Sequence, residues 1–179
     1  MVTEIQESLA RRGIQVEVDD SRSVIRIPVD LLGFESGSAD IAPEHRANAV
    51  LIGRVVSAVL HKGRRYRLLD TVFVEGHTDN RPISGVFGGN WGLSANRAIS
   101  LWRLWEARLP YGLDSLSGRT GDRLFSVSGY GDTRPVTRSQ VAETDRALNR
   151  RIDIRFTEHR LSEEEIEAVR GRTDTEATP

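Results

Sequence analysis

The sequence predicts an α+β domain built in two layers, with helices packed on one face of a β-sheet. Along its 179 residues, segments with apolar residues at helical spacing alternate with short runs rich in valine, isoleucine and phenylalanine. Alternation of this kind favours a sheet covered by helices around one hydrophobic core. A chain of this length can bury such a core without disulfide bonds.

Residues 1–33 predict a helix followed by a short hairpin. Apolar residues at helical spacing come first: Ile5, Leu9 and Ala10. Gly13 follows them and marks the helix end. Two β-prone runs come next, and residues 19–22 between them have the composition of a turn. Pro28 is expected at a strand end or sheet edge, because it has no N–H to donate to a ladder hydrogen bond.

Two longer helices are predicted in the middle of the chain. The first carries an apolar stripe at 3.6-residue spacing, formed by Ala47, Leu51, Val55 and Ala58 with Val50 and Val59 beside them. The second has a buried face comprising Ala98, Leu101, Trp102 and Trp105. Ser94 has the side chain of a good N-cap, which predicts that this helix begins there. Pro110 and Gly112 lie just beyond its expected end.

Three further strands are predicted, and two of them end at glycine. Residues 72–74 form a strand ending at Gly76, and the strand at residues 125–127 ends at Gly129. In the last strand, apolar Ile152, Ile154 and Phe156 alternate with Arg151, Asp153 and Arg155. This alternation predicts one buried face and one wet face. Beyond it, Ser162 and Glu165 form a capping box that opens a short helix, and a disordered tail follows.

Composition excludes several functions and leaves the compartment open. The formal net charge of −1 gives no electrostatic reason to expect nucleic acid as a partner. The chain has no cysteine, which excludes disulfide bonds and thiolate metal ligands. No apolar run reaches the ~18 residues of a membrane-spanning helix, and the first residues lack the pattern of a signal peptide. The chain is therefore either cytosolic or a soluble part of a longer protein.

The most informative feature is a carboxylate and a guanidinium placed a loop apart on rigid elements. Asp79 comes just after a strand and Gly76, and Arg97 follows the predicted Ser94 cap by three residues. In that position Arg97 would lie beside the free N–H groups of a helix N-terminus, which favour an anion. Arg97 and Asp79 could then hold the carboxylate and the ammonium of a zwitterion. The alternative is a plain salt bridge that ties the loop to the helix.

The residues around this pair resemble the OmpA-like peptidoglycan-binding family, closest to the version in the B subunits of flagellar-motor stators. Residues 76–80 read GHTDN and residues 90–98 read NWGLSANRA, both close to family motifs. Three further stretches agree in the expected order: residues 34–39 with Pro43, residues 128–135 (SGYGDTRP) and residues 149–154 (NRRIDI). Gly92 departs from the stator version, which usually has an acidic residue there.

This resemblance implies a set of ligand-binding residues and a domain division. Asp79 and Arg97 would supply the two charges that hold the diaminopimelate of the stem peptide. Other motif positions that line or shape the pocket are Thr78, Asn90 and Leu93, with Arg150 or Arg151 helping from the closing motif. Residues 34–157 would form the peptidoglycan-binding domain with a mixed sheet. Residues 1–33 would be a linker or dimer-side extension, and residues 158–179 a C-terminal helix and disordered tail.

The resemblance also implies a function, a location and partners. We expect a non-catalytic cell-wall anchor in the periplasm, belonging to an inner-membrane ion-driven motor such as a flagellar stator or a Zorya-type anti-phage system. The expected partners are the stem peptide, a second copy of the chain, and a channel-forming subunit reached through an N-terminal transmembrane helix. No cofactor and no nucleic acid are expected. The alternative is a scaffold or dimerisation module of the same fold that no longer binds cell wall.

Two other chemistries fit the residues less well. His77 and Asp79 form an H-x-D pair, but the other histidines show no zinc-like spacing to it, so no metal site is predicted. A hydrolase using Ser94, His77 and Asp79 would need an exposed serine on a strained turn, and no G-x-S-x-G is present. The sequence therefore predicts a binding domain without catalytic residues.

Overall fold

The computed structural model describes residues 1–85, 88–110 and 112–158, which form a five-stranded sheet with four α-helices. The helices are α1 (Val2–Ala10), α2 (Arg46–His61), α3 (Gly89–Arg108) and α4 (Glu143–Asn149). The strands are β1 (Glu17–Val18), β2 (Val24–Pro28), β3 (Leu69–His77), β4 (Phe125–Gly129) and β5 (Arg151–Glu158). The predicted two-layer α+β fold is confirmed. The helix and tail predicted after Glu158 lie outside the described residues.

The sheet is mixed, with strand order β1-β2-β5-β3-β4. All neighbouring strands are antiparallel except β3 and β4, which run parallel and are joined through α3. Because β3 and β4 are parallel, the segments that follow them leave the sheet at the same edge. Their register pairs Gly76 with Gly129, the last residue of β4. The residues after both strands are thereby brought together at one place.

The N-terminal segment is part of this sheet and of its core. β2 pairs with β5 along its whole length, from Val24 opposite Arg155 to Pro28 opposite Arg151. The predicted hairpin is present as β1 and β2, and Pro28 ends its strand as expected. Buried residues of α1 join the same cluster as the central strands: Val2, Ile5 and Leu9. Residues 1–33 therefore share one core with the rest of the fold.

The core lies between the sheet and the helices, with Trp105 of α3 fully buried. Its indole Nε1 donates a 2.8 Å hydrogen bond to the Ala49 carbonyl of α2, so the indole N–H keeps a hydrogen-bond partner although the ring is buried. The predicted apolar face of α3 is confirmed. The predicted stripe of α2 is right at Val55 and Val59, which are buried, and wrong at Ala47 and Ala58, which are exposed. The other buried hydrophobic residues of the helix are Ala49, Ile52, Val56 and Leu60.

The expected wet face of β5 is also wrong at the start of the strand. Arg151 and Asp153 are both buried, and Arg151 donates from Nε to Asp153. The neighbouring strand β3 places Glu75 beside Asp153, and Arg155, two residues further along β5, donates to Glu75. Charged and apolar residues do alternate along β5, but the charged side chains pair with one another instead of facing water. No helix in the described part of the chain has the length and apolar character to cross a membrane.

Candidate functional site

A cavity of about 420 Å³ opens at the edge of the sheet where β3 ends. Six of the seven predicted ligand residues line it: Thr78, Asp79, Asn90, Leu93, Arg97 and Arg150. Lining residues that sequence reasoning missed include Asp30, Phe34 and Arg81. The sequence motifs from β3, α3 and the start of β5 thus meet around one space.

Asp79 is held at the cavity by two guanidinium groups. Its side chain lies just past β3, and the residue is only 5% exposed. Its Oδ2 accepts hydrogen bonds from Arg150 Nη1 at 2.8 Å and from Arg81 Nη2 at 2.9 Å. Burial alone would raise the pKa of Asp79, but the hydrogen bonds from Arg81 and Arg150 outweigh it and hold that pKa below its usual value. Asp79 is therefore an ionised carboxylate at neutral pH.

Arg97 is anchored to the segment before α2. The residue is 3% exposed, and its guanidinium lies 5.2 Å from the centre of the Phe34 ring. Nε donates to the Ser38 carbonyl and Nη2 to the Glu35 carbonyl, both at 2.9 Å. Burial, and then the nearby Arg150 charge, lower the pKa of Arg97 to about 10, so the side chain stays charged at neutral pH. Among the described residues, Nη1 has no hydrogen-bond partner.

Asp79 and Arg97 line the same cavity without forming a salt bridge to each other. Within the part of the chain that the structure describes, the ion pairs of Asp79 are made with Arg81 and Arg150. The positive charge of Arg97 is stabilised by backbone carbonyls and an aromatic ring. The plain salt bridge considered from the sequence is therefore absent. Two opposite charges face a common space, as a zwitterion site requires.

The predicted start of α3 is wrong, and this changes how Arg97 is positioned. The helix begins at Gly89, so Arg97 is its ninth residue and lies more than two turns inside it. Ser94 does not cap the helix: its Oγ donates to the Trp91 carbonyl and accepts from the Gly131 amide, both at 2.9 Å. The hydroxyl instead ties α3 to the segment after β4. The N-terminal N–H groups of the helix are not the groups beside Arg97.

Arg150 and Arg151 have different surroundings. Arg150 follows α4, lines the cavity and donates to Asp79. Arg151 does not line the cavity. It is buried on the sheet, where it pairs with Asp153 and donates from Nη2 to the Arg134 carbonyl at 3.0 Å. Of the two arginines considered from the closing motif, only Arg150 is placed to touch a ligand.

A second polar cluster lies on β3 and β5 behind the cavity. Glu75, His77 and Asp153 place three possible metal-ligand atoms within 4.8 Å of one another. Each carboxylate is already bound by a guanidinium, Arg155 on Glu75 and Arg151 on Asp153. Among the described groups, neither His77 ring nitrogen has a hydrogen bond, and Nε2 lies 3.3 Å from Asp153 Oδ2. The residues could hold a cation only after those arginines moved, because the cluster is already charge-compensated.

His77 should make the stability of the fold depend on pH. The residue is 1% exposed, and burial lowers its pKa below the ordinary 6.5 although Asp153 opposes the shift. The unfolded chain therefore binds a proton at His77 before the folded one does. The free energy of unfolding should fall as pH drops below 6.5, by up to about 1.4 kcal/mol per pH unit.

Urea unfolding at pH 7.5 and 5.5 measures this loss of unfolding free energy. His77→Phe keeps a ring to stack on Tyr130, which lies 5.5 Å away, but cannot titrate. We expect the loss to be smaller in that variant than in the wild type. The exposed His61, replaced by Gln, is the control and should leave the loss unchanged. An equal loss in His77→Phe and wild type would contradict the assignment.

Comparison with known proteins gives one family and several relatives. A sequence model described as "OmpA family" matches residues 33–150. "Motility protein B" of Bacillus subtilis (strain 168) is 28% identical over 152 residues, which cover 84% of this chain and 48% of that protein. The chain thus spans about half the length of this curated relative.

Solved structures with the same fold support the comparison. The cell wall anchor of the T6SS from Pseudomonas aeruginosa has a TM-score of 0.63 and 26% identity, covering 89% of this chain and 98% of that one. The periplasmic domain of Helicobacter pylori MotB has a TM-score of 0.61 and 23% identity, covering 92% of each chain. A putative MotB-like protein from Desulfovibrio vulgaris has a TM-score of 0.63 and 21% identity, covering 88% and 91%. The last two likenesses show the fold alone.

Proposed function

The chain belongs to the OmpA family, and on that premise we propose that it is a non-catalytic domain that binds the peptidoglycan stem peptide and anchors a larger assembly to the cell wall. The observation that carries the proposal is the pair Asp79 and Arg97, buried on one cavity and not paired with each other. A similar solved structure is a cell wall anchor by its own description.

The proposed ligand group is the zwitterionic end of diaminopimelate. Its carboxylate binds Arg97, whose hydrogen bonds to the described residues use Nε and Nη2 and leave Nη1 out, and whose charge is retained at neutral pH. Its ammonium binds Asp79, where it replaces the exposed Arg81 side chain as a hydrogen-bond donor. Asn90 is already bound to the carbonyls of Asp79 and Arg81, so it holds the loop that carries both residues. A plain acid or a plain amine would satisfy only one of the two charges.

The wider assembly is part of the same proposal. We propose an ion-driven motor complex in the inner membrane, with this domain in the periplasm, and the likeness to a protein named Motility protein B favours a motor. A homodimer and a channel-forming membrane subunit are its proposed partners. A flagellar stator and a Zorya-type defence system are both compatible with the domain. Residues 34–157 are proposed as the part that carries the family motifs and most of the wall-binding cavity. Residues 1–33 share its core and contribute Asp30 to the cavity, and they are proposed as the side that faces a dimer partner.

Sedimentation with purified peptidoglycan sacculi tests wall binding. Asp79→Asn removes the charge that holds the ammonium and keeps the shape of the side chain. We expect binding to fall by about tenfold, the loss of one charge-assisted hydrogen bond. Arg138→Gln, a change at an exposed arginine outside the cavity, should bind like the wild type.

The same experiment separates the anchor from a scaffold of the same fold. Wild-type protein that stays in the supernatant would favour the scaffold and overturn the proposal. Retained binding in folded Asp79→Asn would show that the wall is held at another surface.

A further inference from the structure

Four charged side chains form a closed ring at the cavity. Arg81 and Arg150 each bind Asp79, and each also binds Glu143 of α4. The contacts to Glu143 are 2.8 Å from Arg150 Nη2 and 3.4 Å from Arg81 Nη1. Charges of opposite sign therefore alternate around the ring, with Asp79 on its inner side.

Glu143 occupies the ring in the way that a ligand carboxylate would. Its side chain is 58% exposed, and it forms ion pairs with two arginines that also touch the proposed ammonium site. The Arg81 side chain is 55% exposed, so both partners of this contact can move into solvent. The pair of Glu143 with Arg81 is exposed, and exposed ion pairs contribute only about 0.2–1 kcal/mol, so another carboxylate can displace Glu143 from Arg81. Arg146, 3.8 Å from Glu143, would keep the released side chain nearby.

The charges of the cavity point to a ligand with more than one carboxylate. The charged residues that line it are Asp30, Asp79, Arg81, Arg97 and Arg150. Guanidinium groups thus outnumber carboxylates by three to two among the described lining residues. Glu143 lies outside the lining and compensates this excess through its ion pairs with Arg81 and Arg150. A zwitterion adds no net charge, so it would leave the excess uncompensated once Glu143 is displaced. A ligand carrying one further carboxylate would compensate it.

We propose that Arg81 and Arg150 form a second carboxylate subsite, which Glu143 fills until a ligand displaces it. This inference rests on the proposed function, since the zwitterion at Asp79 and Arg97 fixes where the ligand begins. Because Arg81 and Arg150 also contact Asp79, the second carboxylate would lie close to the ammonium, and we assign it to the residue next to diaminopimelate. The domain would then select stem peptides with a free carboxylate at that residue over peptides with a carboxamide there.

Two synthetic peptides test the subsite by calorimetry. Both contain diaminopimelate, and they differ only in a free carboxylate or a carboxamide at the neighbouring residue. Wild-type protein should bind the carboxylate peptide several-fold more tightly. Arg81→Gln should remove this preference and bind the carboxamide peptide at least as well, because Arg81 no longer competes for Asp79.

Removing the Glu143 carboxylate, which competes with the ligand for Arg81 and Arg150, should strengthen binding. Glu143→Gln should tighten binding of the carboxylate peptide by about threefold, the size expected for release of one exposed ion pair. The matched control is Asp145→Asn, which removes the other acidic residue in the first turn of α4 and should change neither affinity. Unchanged circular dichroism checks that the variants fold.

The outcomes distinguish this inference from the proposed function. Equal wild-type affinity for the two peptides overturns the second subsite while leaving the anchor proposal intact. A preference for the carboxylate peptide that persists in Arg81→Gln also overturns the second subsite and leaves the anchor proposal intact. Wild-type protein that binds neither peptide overturns the proposed function and the subsite together.

Discussion

Gly76→Ala is expected to destabilise the fold by about 3 kcal/mol or more. A Cβ at Gly76 would lie 1.9 Å from the Ser94 carbonyl oxygen, a backbone atom of α3 that cannot rotate away. The paired Gly129 makes a similar approach, since a Cβ there would lie 2.4 Å from the Ala95 amide nitrogen. To accept the methyl group, α3 would have to move away from both parallel strands.

Urea unfolding of Gly76→Ala measures this cost. Gly13→Ala is the matched control: nothing lies within 4 Å of a Cβ there, but its φ of +79° is unfavourable for alanine. That variant should lose only about 1–2 kcal/mol, from backbone strain. A loss at Gly76 no larger than at Gly13 would contradict the close helix–sheet contact. The contact matters for function because it sets the position of Arg97 on α3 relative to Asp79 after β3.

Features that depend on local pattern could be predicted from the sequence. Strands β2 to β5 follow from β-branched and aromatic runs that end at Pro28, at a glycine, or with clear alternation. The placement of Asp79 and Arg97 on one cavity follows from their motifs, because the motifs fix which elements carry them. Trp105 was predicted as core from its helical spacing to Leu101, and it is fully buried.

Features that depend on tertiary contacts could not be predicted. Ser94 is a strong N-cap type, yet Gly131 offers its amide to the hydroxyl only once β4 and α3 are packed. α2 has apolar residues on two faces, so the buried face depends on how the helix packs in the fold, as at the hydrogen bond from Trp105 to Ala49.

The ion-pair partners of the charged residues in the site also could not be predicted from the local sequence pattern. Arg81 carries a weak local signal, since it lies two residues after Asp79 and its amide also binds that carboxylate. Glu143 carries none, because its contact with Arg150 depends on how α4 is placed.

Arg97→Ala should cost about 2–5 kcal/mol of binding free energy for a peptide that contains diaminopimelate. The ligand carboxylate would enter a site without its buried positive partner. The structure also gives Arg97 a second role. Its hydrogen bonds to the Glu35 and Ser38 carbonyls hold the segment before α2, so we also expect the free energy of unfolding to fall by about 1–3 kcal/mol.

Calorimetry and urea unfolding of the same variants separate these two roles. Arg97→Lys retains the charge but loses the fork that bridges two carbonyls, so it should recover part of the binding and little of the stability. Arg103→Ala, at an exposed position of the same helix, should change neither quantity. Because the variant's remaining stability can be measured directly, loss of binding in a folded Arg97→Ala protein assigns the carboxylate site to this side chain. Unchanged affinity in that folded variant would place the ligand's carboxylate elsewhere.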